Sequence, residues 1–81
     1  MFKPMLSAKL VGDVLAQLRQ EKGMSQEVVS GLADIGRSHL SAIERGERKP
    51  TMETFYRICC AMDVRMSEVS LLLEQRLENE Q

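Results

Sequence analysis

The sequence predicts an all-α domain of five helices, and three observations favour this fold class. Apolar residues recur at steps of three and four along most of the chain, and no stretch alternates as a strand does. The length of 81 residues leaves room for one core. Hydrophobic residues make up 43% and aromatic residues only 4%, so this core is expected to be aliphatic and rich in methionine.

The first predicted helix lies between Lys9 and Lys22, where Leu10, Val11, Val14, Leu15 and Leu18 form one stripe. Ser7 can cap its start, and Gly23 can close it in the left-handed conformation.

A second helix follows the predicted cap Ser25, with an inward stripe of Val29, Leu32 and Ala33. It is expected to stop at Asp34-Ile35-Gly36, where an aspartate tolerant of positive φ precedes a glycine. A third helix spans about residues 37–45 and ends at Gly46. Its only large apolar residues are Leu40 and Ile43, which leaves a polar outer face.

Thr51 is predicted to cap a fourth helix that carries Met52, Phe55, Ile58, Cys59 and Met62 on one face and ends near Asp63. Ser67 is predicted to cap a fifth helix from Glu68 to about Asn79. The core is expected to include Leu15, Leu18, Val29, Leu32, Leu40, Ile43, Phe55, Ile58 and Met62.

Charge and cysteine content limit the functional classes. The formal net charge of −1 gives no argument for nucleic acid by itself, but residues 1–50 carry a net +2 and residues 51–81 a net −3. Adjacent Cys59 and Cys60 are unsuited to a structural disulfide, which favours a reducing compartment. With no membrane span or signal peptide apparent, we expect a cytoplasmic protein. The sequence has one histidine, and it shows no phosphate-binding loop and no nucleophile motif. We therefore expect no enzymatic activity, no metal site and no cofactor, and no small-molecule ligand is implied.

Two short helices joined by a tight turn, the second with small polar side chains outward, are typical of a helix-turn-helix that reads a DNA major groove. The segment from Gln26 to Gly46 resembles, without insertion or deletion, the helix-turn-helix of the phage repressor and Cro-like family. The flanking stretches LRQEKGMSQ and IERGERKPTMET resemble that family's own flanks. Small single-domain members that control restriction-modification operons are the most similar in size and layout.

The resemblance implies roles for particular residues. Arg37, Ser38 and Ala42 match base-reading positions, with Ser41 and His39 beside them, and Arg37 can bridge the O6 and N7 atoms of guanine. Positions that match phosphate contacts are Gln26, Arg45, Arg48 and Lys49, and the amide of Gln26 can also meet a base edge. Arg19 and Glu44 match a charge pair between the first and third helices. In the alternative reading, Arg37 is a solvated helix-start residue and Arg48-Lys49 is ordinary surface charge.

The resemblance also implies a homodimer on a palindromic operator in double-stranded DNA, because one recognition helix selects too few base pairs. The expected layout is an N-terminal arm (1–9), the DNA-binding domain (10–70) and a dimer contact in the last helix (71–81). The fifth-helix stripe of Val69, Leu72, Leu73 and Leu77 is the expected dimer surface, unless it covers only the monomer's own core. An antitoxin or another helical interaction module of this fold is the alternative function.

Overall fold

Five α-helices and no strands make up the part of the chain that the computed structural model describes, residues 5–79. The helices are α1 (Ala8–Glu21), α2 (Gln26–Ala33), α3 (Arg37–Glu44), α4 (Met52–Ala61) and α5 (Met66–Asn79). The all-α prediction is confirmed. The expected arm and dimer segment fall partly outside the described residues, at positions 1–4 and 80–81.

The helix starts follow the local sequence closely. The hydroxyls of Ser7, Ser25 and Thr51 accept hydrogen bonds from backbone N–H groups in the first turns of α1, α2 and α4. Gly36 caps α3 with extended backbone and no side-chain bond. The start of α5 differs from the prediction: Ser67 lies inside the helix, and Glu68 accepts a bond from the backbone N–H of Arg65.

Four helices end with a residue at positive φ, namely Gly23, Asp34, Gly46 and Asp63. Asp34 has φ 55° and ψ 47°, and the next residue, Ile35, donates its N–H to the carbonyl of Ser30. This left-handed closure turns the chain sharply from α2 into α3. Arg45 is the C-terminal cap of α3, so the helix is one residue shorter than expected.

The core lies between all five helices: α1 packs on α3 and α5, α2 packs on α3 and α4, and α4 packs on α5. Its buried apolar side chains are Leu10, Val11, Val14, Leu15, Val29, Ala33, Leu40, Ile43, Phe55, Ile58, Cys59, Met62, Val69 and Leu73. Leu18 packs against this cluster while remaining half-buried. The core is therefore aliphatic, with one methionine and one free thiol at its centre.

Leu32 is not a core residue, contrary to the sequence prediction: 65% of it is exposed. The inward face of α2 is formed by Val29 and by the small residues Ser30 and Ala33, all buried. Leu32 points away from this face and lies on the same side of α2 as Val28, one turn earlier, which is also exposed. The periodicity identified the helix but not which of two adjacent stripes faces inward.

The expected dimer stripe of α5 is mostly part of the monomer core. Val69 and Leu73 are buried, and Leu77 is half-buried against the same cluster. Leu72 lies between α1 and α5, in a shallow groove that it shares with Val14. The assignment of Val69 and Leu73 to a dimer surface is wrong, because α5 needs these side chains to pack on α1 and α4.

Gly12 explains how closely α1 approaches α3. A Cβ atom at this position would lie 2.2 Å from the carbonyl oxygen of Ile43 and 2.9 Å from that of Glu44. Only a glycine permits this backbone contact. It brings the middle of α1 against the C-terminal end of α3 and so fixes the position of that helix. Among residues 5–79, no helix is long and apolar enough to cross a membrane.

Candidate nucleic-acid interface

A polar cleft of about 350 Å³ opens between α2 and α3. It is lined by Gln26, Arg37, Ser38, Ser41 and Arg45. Arg37, Ser38 and Arg45 are exposed, and Gln26 and Ser41 are half-buried. The structure thus brings Gln26, the first residue of α2, together with residues of α3 and its cap that lie eleven or more positions later, and all of them are predicted site residues. His39 and Ala42 are half-buried beside this group and do not line the cleft.

Buried side chains on the inner side of α3 determine which of its residues face outward. Leu40 and Ile43 are completely buried, and they fix the rotation of the helix about its own axis. The Asp34 turn and the Gly36 cap set where the helix begins, so Arg37 and Ser38 lie in its exposed first turn. In DNA-binding helix-turn-helix proteins, the second helix contacts base edges through its N-terminal residues.

A buried ion pair anchors the end of α3 to α1. Arg19 Nε lies 2.7 Å from Glu44 Oε2, and Arg19 Nη2 lies 3.0 Å from Glu44 Oε1. Side-chain exposures of 13% and 6% place both charges largely out of solvent. The hydrogen bond to Glu44 raises the pKa of Arg19. The third guanidinium nitrogen, Nη1, donates to the carbonyl of Met24 at 2.8 Å, so the same side chain also holds the α1–α2 connection.

The same carboxylate also contacts the cleft. Gln26 Nε2 donates to Glu44 Oε1 at 2.9 Å. Gln26 begins α2 and Glu44 ends α3, so this bond joins the two helices that form the cleft. The family resemblance pairs Glu44 with Arg19 alone, and the helical patterns carry no signal that Gln26 and Glu44 meet.

Arg45 has an anionic partner of its own. Its Nε lies 2.7 Å and its Nη2 3.1 Å from the carboxylate oxygens of Glu47, and Nη1 donates to the Ser41 hydroxyl. These contacts raise the pKa of Arg45 and lower that of Glu47. Because both side chains are more than half exposed, the pair is solvated and easily rearranged.

Arg48 and Lys49 lie outside the cleft, in the exposed segment between α3 and α4. Lys49 instead lines a second depression of about 300 Å³. The other residues that line it come from the start of α1, the start of α4 and α5: Leu6, Val11, Pro50, Met52, Phe55, Met66, Ser70 and Leu73. We call this depression the apolar groove.

The apolar groove was not predicted. Met52 was assigned to the buried face of the fourth helix, but 74% of it is exposed. Met52 lies in the first turn of α4, beyond the edge of the core, and helical spacing does not show where along a stripe the core ends. No group of three or more His, Cys, Asp or Glu residues within 5–79 could hold a metal ion.

A short helix, a tight turn and a second helix with a polar, basic outer face define a helix-turn-helix DNA-binding protein. The chain matches the Helix-turn-helix family HTH_3 over residues 15–69 and belongs to that family. It is 45% identical over 56 residues to an uncharacterized HTH-type transcriptional regulator, y4dJ, of Sinorhizobium fredii, covering 69% of this chain and 73% of that protein.

Two solved structures are similar over most of the chain. The restriction-modification controller protein C.AhdI from Aeromonas hydrophila has a TM-score of 0.74 at 31% identity, covering 76% of this chain and 94% of the other. The wild-type controller protein C.Esp1396I has a TM-score of 0.84 at 26% identity, covering 95% and 99%. The protein is a DNA-binding transcription regulator of the helix-turn-helix type and not an enzyme.

Proposed function

We propose that this regulator binds an inverted-repeat operator as a homodimer, with α3 of each copy in the major groove. The observation that carries the proposal is the cleft between α2 and α3. It presents two exposed arginines and two hydroxyls beside a glutamine amide, on a surface held in place by buried Leu40 and Ile43. This donor-rich set suits the phosphates and base edges of duplex DNA.

In this proposal, one group of residues contacts the bases and another group contacts the phosphates. Arg37 reads a guanine, because its guanidinium can donate to O6 and N7 together. The other base readers are Ser38, Ser41, Ala42 and His39. Phosphates are bound by Arg48 and Lys49, and by Arg45 once its guanidinium is shared between Glu47 and the DNA.

The dimer surface is the apolar groove rather than the buried stripe of α5. Its occupant is a second copy of the chain, because a single recognition helix contacts too few base pairs to select a site. Exposed Leu6 and Met52 line the groove, and burying them stabilises a dimer. Lys49 lines it as well, so the groove adjoins the segment proposed to bind phosphate. A twofold-symmetric contact through the apolar groove places the DNA-binding surfaces of the two copies side by side.

The proposed cellular role is that of an autoregulatory controller of a restriction-modification operon. The likeness to C.AhdI and C.Esp1396I, both restriction-modification controller proteins, supports this role. The test is binding to the DNA upstream of the protein's own gene, compared with a scrambled fragment of equal length. We expect preference for the upstream DNA by a factor of about 10³ or more. Equal affinity for both fragments would contradict autoregulation.

Three alanine variants test the residue assignments, and each is measured for its affinity and base preference on the operator found in the upstream DNA. Arg48→Ala is expected to weaken all DNA sequences alike and to reduce the slope of log affinity against log salt by about 0.9. Arg37→Ala is expected to relax the preference at one base position. Arg76→Ala, which removes a charge in the groove between α1 and α5, is the matched control and leaves both quantities unchanged. If Arg37→Ala weakens every site equally, its base-reading role is wrong.

A further inference from the structure

Glu47 holds the same guanidinium that is proposed above to bind a DNA phosphate. Its carboxylate oxygens lie 2.7 Å from Arg45 Nε and 3.1 Å from Arg45 Nη2, which is the paired geometry that arginine also uses for phosphate. The Ser41 hydroxyl accepts from the third nitrogen, Nη1. Three of the five N–H groups of Arg45 are therefore occupied, and a phosphate at the other two must lie close to the carboxylate.

The fold places Glu47 at the end of the recognition helix. Gly46 has φ 78° and turns the chain, and the backbone N–H of Glu47 then donates to the carbonyl of Ala42 at 2.9 Å. This closure sets the carboxylate two residues after Arg45, the C-terminal cap of α3. Because both side chains are more than half exposed, they can separate by rotation while α3 stays in position.

The stability of the fold does not explain this carboxylate. An exposed ion pair contributes little to folding, and an acid at the C-terminal end of a helix lies at the negative end of the helix dipole. Its effect is on the charge of the cleft. Two arginines line the cleft, Arg37 and Arg45, and Glu47 neutralises the second of them.

We propose that Glu47 is an intramolecular competitor of DNA, which lowers the affinity of the regulator by occupying Arg45. The proposal rests on the phosphate role proposed above for Arg45. A phosphate that approaches Arg45 must either displace the carboxylate or share the guanidinium with it, and two anions beside one cation repel each other. Part of the attraction is lost in both cases. Because phosphates carry no sequence information, the loss is the same on operator and on other DNA.

The experiment measures affinity for the operator and for a scrambled duplex of equal length. At about 0.15 M salt, charges more than about 8 Å apart are largely screened. Glu47→Gln keeps the shape of the side chain and removes its charge, and it is expected to bind both duplexes about two- to fivefold more tightly, as the loss of an exposed ion pair allows. Arg45→Ala is expected to weaken both. Arg45→Ala/Glu47→Gln is expected to bind as Arg45→Ala does, because no guanidinium remains for the carboxylate to occupy.

Glu74→Gln is the matched control for charge. Glu74 is an exposed acid on α5, which packs on α1 and α4, and it does not line the cleft. The variant removes the same formal charge as Glu47→Gln and is expected to leave both affinities unchanged. Thermal unfolding is expected to give Glu47→Gln the melting temperature of the native protein, so its gain in affinity does not come from folding.

Three results would overturn the proposal. If Glu47→Gln binds no more tightly than the native protein, the carboxylate does not compete with DNA. If the gain is as large when Arg45 is already alanine, Glu47 acts only by its own repulsion of DNA. If Glu74→Gln gives the same gain, only the net charge matters. All three leave the preference for the operator intact, whereas a native protein that binds the two duplexes equally refutes the proposed function instead.

Discussion

Two glycines inside helices have opposite effects on stability. Gly31 in α2 is exposed, and an added Cβ would meet nothing within 4 Å. Gly31→Ala is therefore expected to stabilise the fold by up to about 1 kcal/mol, since alanine loses less backbone entropy. Gly12→Ala places a Cβ against the Ile43 carbonyl and is expected to destabilise by about 1–3 kcal/mol. Urea unfolding measures both, and the same sign for the two variants would contradict the packing argument.

The buried thiol of Cys59 makes stability depend on pH in the alkaline range. Burial raises the pKa of Cys59 to about 11, against about 8.5 for an exposed thiol. Between these values the unfolded chain loses the proton first, so the free energy of unfolding falls as pH rises, by at most about 1.4 kcal/mol per pH unit. Below about pH 8.5 this contribution is complete.

Cys59→Ala is the matched variant for this effect, because it removes the buried thiol and leaves the exposed Cys60 in place. We expect the stability advantage of the native protein over Cys59→Ala to shrink between pH 8.5 and 11, as followed by denaturant unfolding at fixed temperature. An advantage that stays constant over this range would show that the buried thiol is not linked to folding.

Residues whose effect is local could be predicted from the sequence, and residues whose effect depends on tertiary contacts could not. Ser25 and Thr51 cap helices because their hydroxyls reach N–H groups three positions away, and Asp34 closes α2 through its own backbone. Gly12 has no local signal, since its role comes from a backbone 31 positions later. The bond between Gln26 and Glu44 spans 18 positions and was missed for the same reason.

At the scale of helices, a largely buried ion pair between Arg19 and Glu44 joins α1 to α3. Arg19→Ala would leave the buried Glu44 carboxylate without its partner, so it is expected to cost about 3–5 kcal/mol. Lys9 pairs with Asp13 on the same helix, at 3.3 Å and in solvent. Lys9→Ala is the matched control and is expected to cost about 0.5 kcal/mol or less. Thermal unfolding compares them, and equal losses would mean that burial does not set the energy of these pairs.

The five helices were predicted from their apolar spacing, but the faces they bury were not all predicted. In α2, which packs on α3 and α4, the small residues Ser30 and Ala33 are buried and Leu32 is exposed. In α5 the apolar stripe predicts a dimer surface, but Val69 and Leu73 are buried in the core of the monomer, where α5 packs on α1 and α4. The count of apolar residues in one helix does not show how much partner surface the others offer.

At the scale of the whole molecule, charge is separated along the chain. Residues 1–50, which contain α1 to α3, carry the net positive charge, and the acidic residues predominate from residue 51 onward. The overall charge of −1 adds no general attraction to DNA. The affinity of one copy therefore depends on the small number of phosphates that its own basic side chains contact. A second copy doubles these contacts, which makes assembly part of recognition.

Assembly through the apolar groove gives the last prediction. Met52→Asp places a charge in the proposed twofold contact, once for each copy. Losing the burial of both methionine side chains is expected to raise the dimer dissociation constant by about a hundredfold or more. Leu32→Asp alters a residue that is nearly as exposed as Met52 but lies on α2, outside the groove, and is expected to leave the dimer intact.

Sedimentation velocity at micromolar concentration measures both variants beside the native protein, free and on operator DNA. The native dimer is expected to hold its two α3 helices about 34 Å apart, one turn of B-DNA, which matches the spacing of the operator half-sites. A charged substitution at Leu73 in the α5 stripe cannot serve this purpose, because Leu73 belongs to the core and a buried charge there destabilises the monomer itself. A native protein that stays monomeric both free and on DNA refutes the dimer, whereas a Met52→Asp protein that dimerises normally places the contact elsewhere.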